Sequence, residues 1–115
     1  MFQKDMRLSL LLDFYGDLLS PRKQELIALY YDEDFSLSEI AEHTGISRQG
    51  VRDSIKRSEQ ELFHLEETLG LVGRFETLQK QLGEISKALN ALAENNAQVR
   101  APLQKIVEKL EHLSI

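Results

Sequence analysis

Between Ser36 and Leu62 the sequence reads SLSEIAEHTGISRQGVRDSIKRSEQEL, and this stretch limits the fold more than any other. Two helices that meet steeply need a small residue at their closest approach, a turn glycine and apolar side chains on the facing sides. Ala41 supplies the first, Gly45 the second, and Ile40, Ile46, Val51 and Ile55 the third. Ser36-Leu37-Ser38-Glu39 has the spacing of a capping box, in which a serine hydroxyl and a glutamate satisfy each other's free backbone donors. That opens a short helix through His43, and Ser47 caps the next, which continues to about Leu69. The stretch is thus expected to be a helix-turn-helix, with Gly45 at the position that tolerates positive φ.

The rest of the chain carries the same helical period. Leu8, Leu11, Leu12, Tyr15, Leu18 and Leu19 form one stripe of a helix expected from Asp5 to Leu19. Ser20-Pro21 reads as an N-cap followed by proline at the first helical position. The second helix carries Leu26, Ile27, Leu29 and Tyr30 to the acidic run Asp32-Glu33-Asp34. Gly70 and Gly73 are expected to bracket a break. Beyond it Phe75, Leu78, Leu82, Ile85, Leu89 and Leu92 form a heptad seam. After a turn at Glu94-Asn95-Asn96, a second seam runs through Val99, Leu103, Ile106, Leu110 and Leu113, with Pro102 near the start of its helix. Helices over 71–93 and 101–113 are expected to pair as an antiparallel hairpin or with another subunit, burying the first seam; a homodimer is the favoured form. No period-two run of strand length occurs. The fold class is therefore all-α, with a helix-turn-helix domain over 1–70 and an amphipathic helical tail over 71–115.

Composition narrows the function. The 115 residues contain no cysteine, which excludes disulfides and thiolate metal sites. The most apolar stretch, Leu8 to Leu19, is interrupted by Asp13 and Asp17 and is too short to cross a bilayer. The opening Met1-Phe2-Gln3-Lys4-Asp5 lacks a signal-peptide layout, so a cytoplasmic protein without membrane insertion is expected. Net charge is −5, and residues 1–70 hold 8 Lys and Arg against 14 Asp and Glu. The half with the helix-turn-helix is the acidic half, so any nucleic-acid contact rests on a local stripe rather than on bulk charge.

Such a stripe is present. The second helix of a helix-turn-helix offers its N-terminal half to the major groove. Here that half holds Ser47, Arg48, Gln49, Arg52, Lys56 and Arg57, with Asp53 as the single acidic residue among them. Arg48, Arg52 and Lys56 recur every four positions and share a face. Arginine pairs with guanine edges, Gln49 with adenine, and Ser47 with phosphate. The same stripe also reads as an ordinary solvated face.

At these residues a family resemblance emerges. The run Ser20 to Glu61 resembles the C-terminal promoter-reading region of bacterial sigma factors. It is closer still to the YlxM-like family of small helix-turn-helix proteins. Leu12-Asp13-Phe14-Tyr15, the pair Tyr30-Tyr31 before an acidic turn, and Ser47-Arg48-Gln49 carry the match, which covers roughly residues 5–70. The resemblance implies a cytoplasmic all-helical protein linked to membrane-protein targeting. Its implied partners are the signal recognition particle GTPase or the particle RNA, with duplex DNA as the alternative for a transcriptional regulator. It implies a fold inherited from DNA binders without requiring DNA binding. With no room in 115 residues for a promoter-melting domain, a full sigma factor is not expected.

Catalytic chemistry is not legible. Glu39 and His43 lie four apart on one helix and could hold a metal weakly, but no third ligand is evident nearby, and surface residues on a short helix are the expected reading. His64 and His112 lack a spaced acid or serine partner, and no phosphate-binding glycine loop occurs. Glu66 and Glu67 are adjacent and point to different sides of a helix. The expectation is a non-enzyme with no cofactor and no metal.

Overall fold

A computed structural model describes residues 6–113. Six α-helices account for it: α1 (Met6–Tyr15), α2 (Pro21–Tyr31), α3 (Leu37–Thr44), α4 (Arg48–Leu69), α5 (Leu71–Asn95) and α6 (Arg100–Glu111). Short 3-10 turns occupy Gly16–Leu18 and Ala97–Val99, and no strand occurs among the described residues. The expected helix start at Asp5 and the N-terminal pentapeptide lie outside the described residues. The chain divides into two compact units, one ending at Val72 and one beginning at Gly73.

The first unit has two apolar clusters that share α2 and α4. Leu8, Leu11, Tyr15 and Leu19 pack with Ile27 of α2, Leu62 of α4 and Val72 in the first turn of α5. Leu26 and Tyr30 of α2 pack instead with Leu37 and Ile40 of α3 and Val51 and Ile55 of α4. Along α4 the buried positions are Val51, Ile55, Ser58 and Leu62, steps of four, three and four that keep one face inward. Ser58 stands fully buried between the two clusters, and its hydroxyl donates to the Ser54 carbonyl at 3.0 Å, so no polar atom is orphaned there.

The N-terminal stripe departs from its expected form at one end. α1 stops at Tyr15, and the tighter 3-10 turn that follows rotates Leu18 to solvent, 61% exposed, while Leu19 is buried. A helix continued to Leu19 would have kept the two leucines on neighbouring strips. Pro21 begins α2 as expected, but Ser20 makes no side-chain cap. The Gln24 side-chain amide donates to the Leu19 carbonyl at 2.8 Å and ties the turn to α2, without supplying the acceptor a capping serine would offer.

The α4–α5 junction is held by Tyr15. Its hydroxyl donates to Glu66 Oε1 at 2.6 Å and accepts the Leu71 amide at 3.0 Å, and Glu66 Oε1 also accepts the Val72 amide at 3.0 Å. The opening amides of a helix have no partner within it. Here a carboxylate and a phenol supply partners to two of them, and helix dipole and carboxylate charge reinforce each other. The break lies at Gly70 alone, in the left-handed conformation at φ 64°, and Gly73 is inside α5 rather than bracketing the bend.

In the second unit α5 and α6 form an antiparallel hairpin. Leu82, Gly83 and Ser86 stand across a cleft of about 250 Å³ from Leu110 and Glu111, and Ala93 and Val107 are buried. Arg100 ties off the turn, with Nε donating to the Ala93 carbonyl at 3.2 Å and a terminal nitrogen to the Glu94 carbonyl at 3.4 Å. Pro102 falls in the first turn of α6, where no amide donor is needed. The seam is only half covered within one chain: Phe75, Leu82 and Leu89 are half-buried, while Leu78, Ile85 and Leu92 are exposed.

Tyr15→Phe removes both the donor to Glu66 and the acceptor for Leu71. Its expected cost is about 1–3 kcal/mol, read as a lower urea midpoint at unchanged m-value. Burial, and then the neighbouring Glu66, push the Tyr15 phenol above its ordinary value. A phenol raised on folding contributes stability that is intact below the ordinary titration near pH 10 and is lost as pH rises through it. The wild type should therefore lose stability faster than Tyr15→Phe in that range.

Candidate nucleic-acid interface

Local bonds between residues a few positions apart define the helix-turn-helix. The Ser36 hydroxyl accepts the Glu39 amide at 3.1 Å while the Glu39 carboxylate accepts the Ser36 amide at 2.9 Å, the reciprocal pair the spacing predicts. The Ser36 amide first, and then the Ser36 hydroxyl beside the carboxylate, hold the Glu39 carboxyl below its ordinary pKa. α3 ends on Gly45 at φ 77°, whose amide donates to the Ala41 carbonyl at 2.9 Å. The Thr44 hydroxyl donates back to the Ile40 carbonyl at 2.7 Å. Ser47 then caps α4 by accepting the Gly50 amide at 3.0 Å. Helix propensity alone makes Gly50 a weak choice in α4, by about 1 kcal/mol against alanine. The close approach accounts for it: a Cβ at this position would stand 3.0 Å from both Ile46 Cγ2 and the capping Ser47 oxygen.

Burial fixes how α4 is presented. Ile40, Val51 and Ile55 are fully buried, with Ala41, Ile46 and Phe35 packed against them. Phe35 also meets His43 edge-on, with ring centroids 5.8 Å apart. With that face inward, Ser47, Arg48, Gln49, Lys56 and Arg57 are exposed and Arg52 is half-buried. The side chains fall into two columns. Arg48, Arg52 and Lys56 make one; Gln49, Asp53 and Arg57, again four apart, make the other. In the second column the Gln49 amide donates to Asp53 Oδ1 at 2.9 Å. The one side chain suited to adenine is therefore engaged along its own helix, and Asp53 offsets the charge of Arg57.

Three further contacts orient α4, and none has a local signal in the sequence. The Tyr31 hydroxyl donates to Glu59 at 2.5 Å, Lys23 pairs with Glu61 at 3.2 Å, and Tyr15 meets Glu66 as described. Each joins residues 28 to 51 positions apart. Glu59, Glu61 and Glu66 of the C-terminal half of α4 thus serve as ties to α1 and α2. Among the described residues no group of three or more His, Asp or Glu side chains is placed to hold a metal ion, and no helix is long and apolar enough to cross a membrane. Glu39 and His43, the metal pair weighed from sequence, are spent on the capping box and on Phe35.

Comparison with known proteins places these features in a family. The family model described as "UPF0122: Putative helix-turn-helix protein, YlxM / p13 like" matches residues 2–110. A UPF0122 protein of Desulforamulus reducens is 43% identical over 112 residues, covering 93% of this chain and 96% of its own. One from Acetivibrio thermocellus is 43% identical over 107 residues, covering 91% and 92%. One from Symbiobacterium thermophilum reaches 49% over 84 residues, covering 73% and 78%. The match extends past the helix-turn-helix, which ends with α4, and into the hairpin.

Two outcomes check the local architecture. A Cβ at Gly45 would meet nothing within 4 Å, so Gly45→Ala should cost only the left-handed backbone penalty, about 1–2 kcal/mol, with Gly45→Asn costing less. The lowered pKa of Glu39 means that its contribution is present above the ordinary glutamate titration near pH 4.3 and lost as pH falls through the folded value. Glu39→Gln, which keeps an acceptor but not the charge, should flatten the acid limb of a thermal-stability profile. An unchanged limb would detach the capping box from acid stability.

Proposed function

The chain belongs to the UPF0122 family of helix-turn-helix proteins, and on that footing we propose that it is a regulatory accessory protein of the signal recognition particle pathway. In this reading it acts in the cytoplasm by binding rather than by catalysis. The partner is the targeting GTPase or the particle RNA, met through the column Arg48, Arg52 and Lys56, with Ser47, Gln49 and Arg57 at its margin. The pathway is what the likeness to YlxM-type proteins implies. The observation that carries the choice of partner is electrostatic. Three aligned cations stand on a unit in which acids outnumber bases, and Asp53 occupies the centre of the face that would read base edges. Each phosphate contact releases counterions, so the electrostatic part of duplex affinity scales with the number of phosphates neutralised, and one chain's column offers three. A three-cation column suits a smaller contact made alongside other surfaces.

A second reading keeps duplex DNA as the target, with the protein a transcriptional regulator. It is favoured by the exposure of Arg48, Gln49, Lys56 and Arg57 at the start of α4, the half that helix-turn-helix proteins insert in the major groove. Rotation of Gln49 away from Asp53 would be required first.

Binding to duplex DNA, to particle RNA and to the purified GTPase can be compared across salt concentrations. For DNA the expected result is weak, sequence-independent binding with a log–log salt slope no steeper than about −2.7 for each chain bound, from three phosphates at about 0.9 each. Arg48→Ala should lower that slope by about one unit. The same substitution should weaken retention of GTPase or RNA by tagged protein recovered from cells. Nanomolar, sequence-specific duplex binding at physiological salt, abolished by Arg52→Ala, would replace this reading with the second.

A further inference from the structure

The large apolar side chains left exposed in the second unit are Leu78, Ile85, Leu92, Val99, Ile106 and Leu113, each seven residues from the next. Their exposures run from 39% to 54%. They keep one position of a single heptad register from α5, through Val99 in the 3-10 turn and Ile106 of α6, to Leu113 just past the end of α6. The preceding apolar row of that register, Leu82, Leu89, Leu103 and Leu110, is half-buried, and the row after it contains the buried Ala93 and Val107. The hairpin therefore closes on two rows and leaves the third open. Because α5 and α6 are antiparallel and turn equivalent rows towards each other, the open rows fall on the same side of the hairpin. About the turn they form matched layers: Leu92 with Val99, Ile85 with Ile106, Leu78 with Leu113.

We propose that this face is covered by the same face of a second copy of the chain, so that two hairpins form a four-helix bundle with α5 of one copy lying along α6 of the other. An amphipathic hairpin with matched layers is complementary to itself, and an isologous interface requires that property. The strip Leu78, Gln81, Ile85, Ala88, Leu92 contains no charge, as the core of an interface does. Over the roughly 20–25 Å spanned by these layers and two helix diameters of about 10 Å, the face reaches roughly 500 Å² per partner. That is near the lower bound of about 1,000 Å² in total for a specific interface, which predicts a reversible dimer.

Charge at the rim decides the orientation. Exposed Glu84 borders the apolar layers on α5, and exposed Lys105 and Lys109 border them on α6. Counted from the turn, Glu84 stands at a height between the two lysines. With α5 laid along the partner's α6, Glu84 of each copy meets lysines of the other. The alternative, like helix on like helix about the middle layer, would bring the two copies of Lys105 together. Residues 73–115 hold 6 basic and 5 acidic side chains, so no net repulsion opposes association.

The test is sedimentation equilibrium of the full chain from about 5 to about 200 µM, a span that brackets a micromolar dissociation constant. A 13.2 kDa chain that reaches twice its mass within this range is the expected result. Ile85→Asp and Ile106→Asp alter side chains already 46% exposed in the single chain, so helicity by circular dichroism should be retained. Each places two unpaired carboxylates in the dimer interface and should raise the dissociation constant about 100-fold or more. Glu84→Lys should weaken the dimer, and Glu84→Lys combined with Lys105→Glu and Lys109→Glu should restore it. A wild type that stays monomeric to the top of the range would assign the face to some other partner and overturn the proposal. So would a dimer indifferent to Ile85→Asp and Ile106→Asp, or one in which the triple exchange fails to rescue Glu84→Lys.

Discussion

One carboxylate oxygen, Glu66 Oε1, accepts the Tyr15 hydroxyl at 2.6 Å and the Val72 amide at 3.0 Å, while that hydroxyl accepts the Leu71 amide at 3.0 Å. The first unit closes on this node. It fixes α1 against the C-terminal half of α4 and supplies partners to amides at the start of α5, directly beside the fully buried Val72 and Leu62. A buried hydroxyl or carboxylate without partners is costly, so the node holds one arrangement rather than a range of them. Arg7 approaches the other Glu66 oxygen at 3.7 Å and offsets part of the charge.

Fixing one end of α4 fixes the other, because the helix is continuous for 22 residues and lines both clusters. Glu59, Glu61 and Glu66 tie it to α2 and α1, and Val51 and Ile55 seat it on α3. The column Arg48, Arg52 and Lys56, exposed at its ends and half-buried at Arg52, is thereby displayed on a rigid support and not on a loop. Its strength is nevertheless set by its surroundings. Most of the acids of the unit are committed to caps, ties or solvent, and Asp53 lies beside the column itself. The helix-turn-helix geometry and the charge pattern thus pull in different directions, and the balance between them separates a partner-docking module from a duplex reader.

Much of the fold was legible because it is local. The capping box at Ser36 and Glu39, the left-handed Gly45 and the Ser47 cap are contacts between residues three or four positions apart, so spacing alone locates them. The exposure of Arg48, Gln49, Lys56 and Arg57 follows as well, since Val51 and Ile55 fix which side of α4 is inward. What failed was local too, but turned on a small choice of winding. A 3-10 turn at Gly16–Leu18 replaced the last turn of the first helix and put Leu18 in water. The cap expected of Ser20 is absent, and the turn is tied instead by a Gln24 side-chain donor to the Leu19 carbonyl.

The sequence by itself determined an all-helical chain, a helix-turn-helix at 37–69 and a heptad register from Phe75 to Leu113. Periodicity and capping are properties of neighbouring residues and need no knowledge of what lies across the fold. Only the tertiary structure decided which rows of that register are used. Ala93 and Val107 are buried while Leu78, Ile85 and Leu92 are not, because a two-helix hairpin has one contact face and cannot cover a wide apolar stripe from a single side. It also decided the roles of Tyr15, Glu59 and Glu66, whose partners are 28 to 51 residues away. No spacing rule reaches that far, since such pairs exist only once packing has brought their helices together.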